Sequence, residues 1–97
     1  MPTDPSFRMI IEDVFSIRGR GTVVVGYVEQ GTLAVGDTVE IRGQIEVKRT
    51  VVAGIEMFRK LVDRVGVGDN VGVFLRNIGK DEVQPGDVLR GTQSDLD

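Results

Sequence analysis

Three short stretches of this chain follow one plan. Val35-Gly36-Asp37-Thr38-Val39, Val67-Gly68-Asp69-Asn70-Val71 and Pro85-Gly86-Asp87-Val88 each set an apolar residue or proline before Gly-Asp and an apolar run after it. Glycine supplies the positive φ that a tight turn needs. The aspartate that follows can accept from N–H groups of the turn. The units therefore predict three strand starts, and their uneven spacing excludes a solenoid.

What lies between the turns is built for strands. The chain has 97 residues, among them 17 valines against only 2 alanines. Valine loses χ1 freedom in a helix and packs well on a pleated sheet. Strands are expected over residues 8–15, 23–28, 39–42, 45–51, 71–75 and 88–90. Gly26 is a candidate bulge inside the second. In residues 45–51 the alternation sets Ile45, Val47 and Val51 on one face and Glu46, Lys48 and Thr50 on the other. Residues 55–62 fit either a strand or a helical stripe. Residues 80–83 are the best place for one short helical turn. Many short strands, Gly-Asp turns and almost no helix predict an all-β fold, a small closed antiparallel β-barrel, in which closure removes the exposed edges. One domain is expected over residues 7–91, with a flexible lead-in at 1–6 and a flexible tail at 92–97.

Composition narrows the chemistry. The chain has no cysteine and no histidine, so thiolate metal sites, thiol nucleophiles and the commonest general base are excluded. No metal, cofactor or enzymatic activity is expected. No apolar run approaches a membrane span and the N-terminus does not read as a signal peptide, so a cytoplasmic location is expected. Twelve basic against 15 acidic residues leave a net charge of −3. That balance argues against a broad basic groove for nucleic acid but leaves room for a small pocket around one nucleotide end.

Gly19-Arg20-Gly21 invites a phosphate-loop reading. It lacks the Lys-Ser/Thr that ends such a loop and no helix follows it, so it reads as a turn. Glu12 and Asp13 are neighbours on a strand and point to opposite faces, so they cannot share acid–base work. Each could accept from a ligand ammonium or hydroxyl. Residues 56–60, Glu-Met-Phe-Arg-Lys, are either a half-buried strand with charges outward or an apolar floor with Glu56 and Arg59 at its rim, able to hold a base and its ribose. The five aromatics, Phe7, Phe15, Tyr27, Phe58 and Phe74, are mostly expected in the core.

These blocks together resemble the second domain of elongation factor Tu. The likeness runs through Ile11-Glu12-Asp13-Val14-Phe15-Ser16-Ile17, Gly19-Arg20-Gly21-Thr22-Val23-Val24, Gly54-Ile55-Glu56-Met57-Phe58-Arg59-Lys60 and Gly68-Asp69-Asn70-Val71-Gly72-Val73-Phe74, from about Phe7 to Leu89. The resemblance implies a six- or seven-stranded barrel of the translation-factor type. It implies a non-catalytic module for the aminoacylated 3′ end of tRNA or for ribosomal RNA, normally beside a GTPase domain. On this resemblance Glu56 lies against the terminal adenosine, and Ile17, Val23 and Phe74 form the apolar wall for its base. Arg59 lies near the sugar-phosphate. Glu12, Asp13, Phe15 and Asn70 line the space for the amino acid. Val25 stands where the family usually has a threonine, and Phe74 where it has a leucine. The other reading is a protein-interaction module, a monomer that docks on a separate translational GTPase domain or other partner, with Arg18, Arg20 and Arg59 as anchors.

Overall fold

The three Gly-Asp units form the same turn. Gly36, Gly68 and Gly86 have φ of 94, 89 and 99°. In each, the aspartate N–H donates to the carbonyl three residues back, Ala34, Gly66 or Gln84, at 3.1 Å. The aspartate side chain then accepts from the N–H of that same residue, at 2.9, 2.9 and 3.0 Å. One side chain thus closes each turn twice and points the chain into a strand.

The computed structural model describes residues 4–92. Ten strands follow in order: β1 (Arg8–Ile10), β2 (Asp13–Ile17), β3 (Gly21–Gln30), β4 (Leu33–Ala34), β5 (Thr38–Arg42), β6 (Val47–Met57), β7 (Lys60–Val62), β8 (Arg64–Val65), β9 (Asn70–Leu75) and β10 (Val88–Gly91). A single 3₁₀ turn, Lys80–Glu82, falls within the expected residues 80–83. Antiparallel pairing runs β1-β10-β5-β6-β9-β3 and returns from β3 to β1, so six strands close a barrel. Strands β2 and β7 extend it outside the ring, on β3 and β6. The small pair β4–β8 lies apart.

Closure rests on the ten-residue β3. Its first half pairs with β2 from Gly21 to Val25, and its last residues pair with β1 at Val28 and Gln30. The chain must switch between these stretches, which is why residues 8–15 form two strands rather than the single one expected. Gly26 sits at the crossing. A Cβ there would lie 2.3 Å from the Ile10 carbonyl oxygen, so the glycine permits a close backbone approach. The register irregularity falls instead opposite Arg8 and Met9.

Met9, Val24, Val28, Val39, Ile55, Val73 and Leu89 fill the barrel and are fully buried. Val71, Val73 and Leu75 face inward as their alternation predicts. The expected faces of residues 45–51 are reversed at the buried end. Thr50 and Val52 turn inward, while Ile45 and Val47 are exposed. The Thr50 hydroxyl is satisfied by donating to the Arg76 carbonyl at 2.6 Å, which lets a polar residue take a core position. Residues 55–62 form a β-hairpin, not a helix.

At the ends of the described chain, Asp4 accepts from the backbone N–H of Thr32 at 3.1 Å. Thr92 donates through its hydroxyl to the Thr38 carbonyl at 3.1 Å. The remainder of the expected lead-in and tail, residues 1–3 and 93–97, lies outside the described residues.

Candidate functional site

Strand register decides which candidate residues meet. Phe15 stands opposite Val23, Val23 opposite Phe74, and Phe74 opposite Gly54. One row over, Asp13 stands opposite Val25, Val25 opposite Gly72, and Gly72 opposite Glu56. Asn70 pairs with Tyr27 at the next row, and Ile17 with Gly21 on the other side. Side chains alternate across a strand, so Asp13, Phe15, Ile17, Val23, Glu56, Asn70 and Phe74 all belong to the outer face of one sheet, β2-β3-β9-β6. Adjacent strands are about 4.8 Å apart, so Asp13 and Glu56 stand about 14 Å apart at the backbone, with Val25 and Gly72 between them.

Two candidates lie off this face. Glu12 precedes β2 and its N–H donates to the Val25 carbonyl at 2.7 Å. Arg59 is in the two-residue turn between β6 and β7. That turn is unusual, because Phe58 and Arg59 have φ of 55 and 64°. Such paired positive values belong to type I′ hairpins, which favour Asn-Gly. A bulky residue held there is strained. The turn holds Phe58 out at 85% exposure, next to exposed Arg59, Lys60 and Leu61.

Two glycines of this sheet, Gly72 and Gly54, are filled from beside them. A Cβ on Gly72 would lie 3.3 Å from a Val23 methyl, and one on Gly54 would lie 3.4 Å from the Phe74 ring. Val23 and Phe74 thus lie flat on the sheet and are buried although they point away from the core. Arg20 covers the Phe74 ring, its guanidinium carbon 4.3 Å from the ring centroid. Contrary to expectation only Phe7 and Phe74 of the five aromatics are buried. Phe15, Tyr27 and Phe58 are exposed, the first two on this same outer face.

A second feature escaped the sequence reading. A pocket of about 340 Å³ opens between the β5–β6 loop and the 3₁₀ turn, lined among others by Ile41, Ile45, Lys48, Glu82, Val83 and Asp87. Lys48 bridges Glu82 at 3.3 Å and Glu46 at 3.6 Å. Burial lowers the Lys48 ammonium pKa, but these two carboxylates outweigh it and hold it above its ordinary value. The Gly79 N–H, and then Lys48, hold the Glu82 carboxyl below the usual carboxylate range. The residues come from segments more than thirty positions apart, so no local motif signals them.

A six-stranded closed barrel with a hairpin-extended outer sheet, whose exposed face is apolar at its centre and charged at its ends, defines a translation-factor β-barrel module rather than a catalytic GTPase domain. The family model described as Elongation factor Tu domain 2 matches residues 21–90, and the chain belongs to that family. No helix among the described residues is long and apolar enough to cross a membrane.

Proposed function

We propose that the outer face of β2-β3-β9-β6 is a non-catalytic binding surface for the aminoacylated 3′ end of tRNA, working beside a GTPase domain. The observation that carries this reading is the shared face. Seven residues drawn from four strands, and spread from position 13 to 74, lie on one side of one sheet. The terminal base stacks over the apolar centre formed by Ile17, Val23 and Phe74, with Glu56 accepting from its sugar or base edge and Arg59 near the phosphate. Asp13 and Asn70 supply acceptors for the cationic α-amino group, and Phe15 and Glu12 border the amino-acid side. Because Arg20 covers Phe74, the base must displace it or slide beneath it. An exposed cation–π contact is worth about 0.5–1 kcal/mol, so opening is cheap. One stacked base contributes only about 1–3 kcal/mol, which makes the affinity of this barrel alone weak.

The test is a chemical-shift titration with an aminoacylated CCA-end analogue and with its uncharged counterpart. Shifts at Ile17, Glu56 and Phe74 with both, and at Asp13 and Asn70 with the charged one only, are expected. Absence of shifts at all five positions overturns the reading.

One observation favours docking on a GTPase domain or other protein through the same region. Phe58 and Leu61, at 85% and 66% exposure, form an apolar tip beside Arg59 and Lys60. Aromatic and arginine anchors of this kind are typical of interface hot spots. Loss of binding to a GTPase domain in Phe58→Ala, with the CCA-end titration unchanged, would assign the tip to protein contact.

A further inference from the structure

The pocket between the β5–β6 loop and the 3₁₀ turn holds more negative charge than it balances. Glu46, Asp81, Glu82 and Asp87 line it, with Lys48 as the cation among the lining residues. Lys48 is engaged with Glu82 and Glu46. Asp81 and Asp87 form no ion pair among the described residues. No group of three acidic side chains among those residues is placed to hold a metal ion, so the surplus is spread along the pocket. Spread charge suits an extended organic cation.

Asp87 points to that cation most directly. The residue is 7% exposed. Its Oδ2 accepts from the Gln84 N–H and closes the turn before β10. Its Oδ1 accepts no hydrogen bond among the described residues. No fully buried side-chain oxygen there lacks a partner, so Oδ1 keeps a small opening, and that opening is the pocket. Gly43 leaves room for it. A Cβ at position 43 would lie 3.5 Å from Oδ1 and 3.6 Å from the Glu46 carbonyl oxygen. A carboxylate shielded from water with no counter-charge is unfavourable in the free protein, and a bound cation offsets that.

The rest of the lining suits a hydrocarbon stem. Ile41 and Val83 supply buried apolar wall, while Ile45 stands out at 93% exposure. A free small cation makes no use of Ile45, whereas a polypeptide covers it with the residue next to its own cation.

We infer that this pocket receives an arginine side chain from an extended segment of a partner protein, with the guanidinium on Asp87 Oδ1 and Asp81 and an apolar neighbour of that arginine on Ile45. Guanidinium is more weakly hydrated than ammonium, so it enters a partly apolar pocket more readily. Its bonds to carboxylate oxygens are charge-assisted. A volume of about 340 Å³ lies at the small end for ligand pockets and accommodates one such side chain. None of the acceptor-end residues lines the pocket, nor do Phe58 and Leu61 of the hairpin tip, so this surface is separate from both.

The test is a chemical-shift titration of the full chain with the acetylated and amidated pentapeptide Ala-Leu-Arg-Leu-Ala. Shifts are expected at Ile41, Gly43, Lys48 and Val83, and not at Ile17, Glu56 or Phe74. The same peptide with neutral citrulline in place of arginine should bind about tenfold more weakly. Asp87→Asn keeps an oxygen for the Gln84 N–H and should also weaken binding about tenfold. Should that variant not fold, Gly43→Ala carries the test, since position 43 has no positive φ and its new methyl group shields Oδ1. Gly43→Ala and Asp81→Asn should each weaken binding about threefold or more. Ile45→Ser should weaken the peptide about threefold and leave N-acetyl-arginine amide unchanged. The inference is overturned by absence of shifts at the pocket, by a citrulline peptide that binds as tightly, or by parental binding in both Gly43→Ala and Asp81→Asn. It is equally overturned by parental peptide binding in Ile45→Ser or by spermidine binding more tightly than the peptide. Each of these results leaves the CCA-end titration as it was.

Discussion

Arg20 lies over Phe74 with its guanidinium carbon 4.3 Å from the ring centroid, and so closes the apolar centre of the outer sheet from above. The Gly19-Arg20-Gly21 segment makes this possible. The Arg20 N–H donates to the Ile17 carbonyl at 2.9 Å, and the glycines on either side have φ of 81 and 90°. The turn folds the arginine back over the strand that follows it. Arg20→Ala should cost about 0.5–1 kcal/mol in urea unfolding, the value of the stacked cation. It should also move the Phe74 ring resonances in the folded protein. Unmoved ring resonances would show that the arginine does not hold the ring in solution.

The β6–β7 turn offers a stability gain at a functional cost. Phe58 and Arg59 occupy left-handed backbone that Asn-Gly adopts with little strain. Phe58→Asn/Arg59→Gly should therefore raise stability by about 1–2 kcal/mol, since each strained residue costs on the order of 1 kcal/mol or more. The same variant should weaken binding of the charged CCA end, because Arg59 is gone. A calorimetric Tm paired with the titration checks both outcomes, and a lower Tm would refute the strain argument.

Two glycines should respond differently to the same added methyl group. Gly26→Ala drives a Cβ to within 2.3 Å of the Ile10 carbonyl oxygen, a backbone atom that cannot swing aside. It should cost about 3 kcal/mol or prevent folding, as overpacking against fixed atoms does. Gly19→Ala meets nothing within 4 Å and bears only the penalty of a positive φ, about 1–2 kcal/mol. Denaturant midpoints rank the two directly, and a reversed order would contradict the close crossing of β1 over β3.

Glu82 links the 3₁₀ turn to pH. Its carboxyl is held below the usual range by the Gly79 N–H, at 2.9 Å, and by Lys48. A carboxyl lowered in the folded state contributes stability that is whole above its unfolded pKa and is lost as pH falls through the folded value. Acidification from neutral pH through the carboxylate range should therefore destabilise the protein more than it does Glu82→Gln. Parallel Tm curves for the two proteins from neutral to acid pH would sink the assignment.

Much of the architecture is legible before any coordinates. The Gly-Asp turns are local devices: glycine conformation and one side-chain acceptor act within four residues, so Gly36-Asp37, Gly68-Asp69 and Gly86-Asp87 can be read as turns directly. The alternation of Val71, Val73 and Leu75 equally reveals its inward face. Residues 45–51 mislead for a physical reason. Ile45 lies in the loop before β6, and Val47, paired with Arg42, shares the outward face with Arg49, whereas Thr50 is admitted to the interior because the Arg76 carbonyl accepts its hydroxyl proton. Local pattern holds no trace of a partner 26 residues away.

The sequence by itself determined the all-β class, the turns, the single short helical turn and the family motifs, because each of these depends on neighbours along the chain. Only the tertiary structure decided which side chains share a face. A strand has two faces, and the register of β3 against β2, β9 and β1 selects between them. That selection gathers Asp13, Phe15, Ile17, Val23, Glu56, Asn70 and Phe74 on one side, lays Phe74 beneath Arg20, and sets Arg8 against Arg90 on the other. Net charge sums over the whole surface, whereas binding depends on where the charges stand. Closing the ring of strands is what separated them.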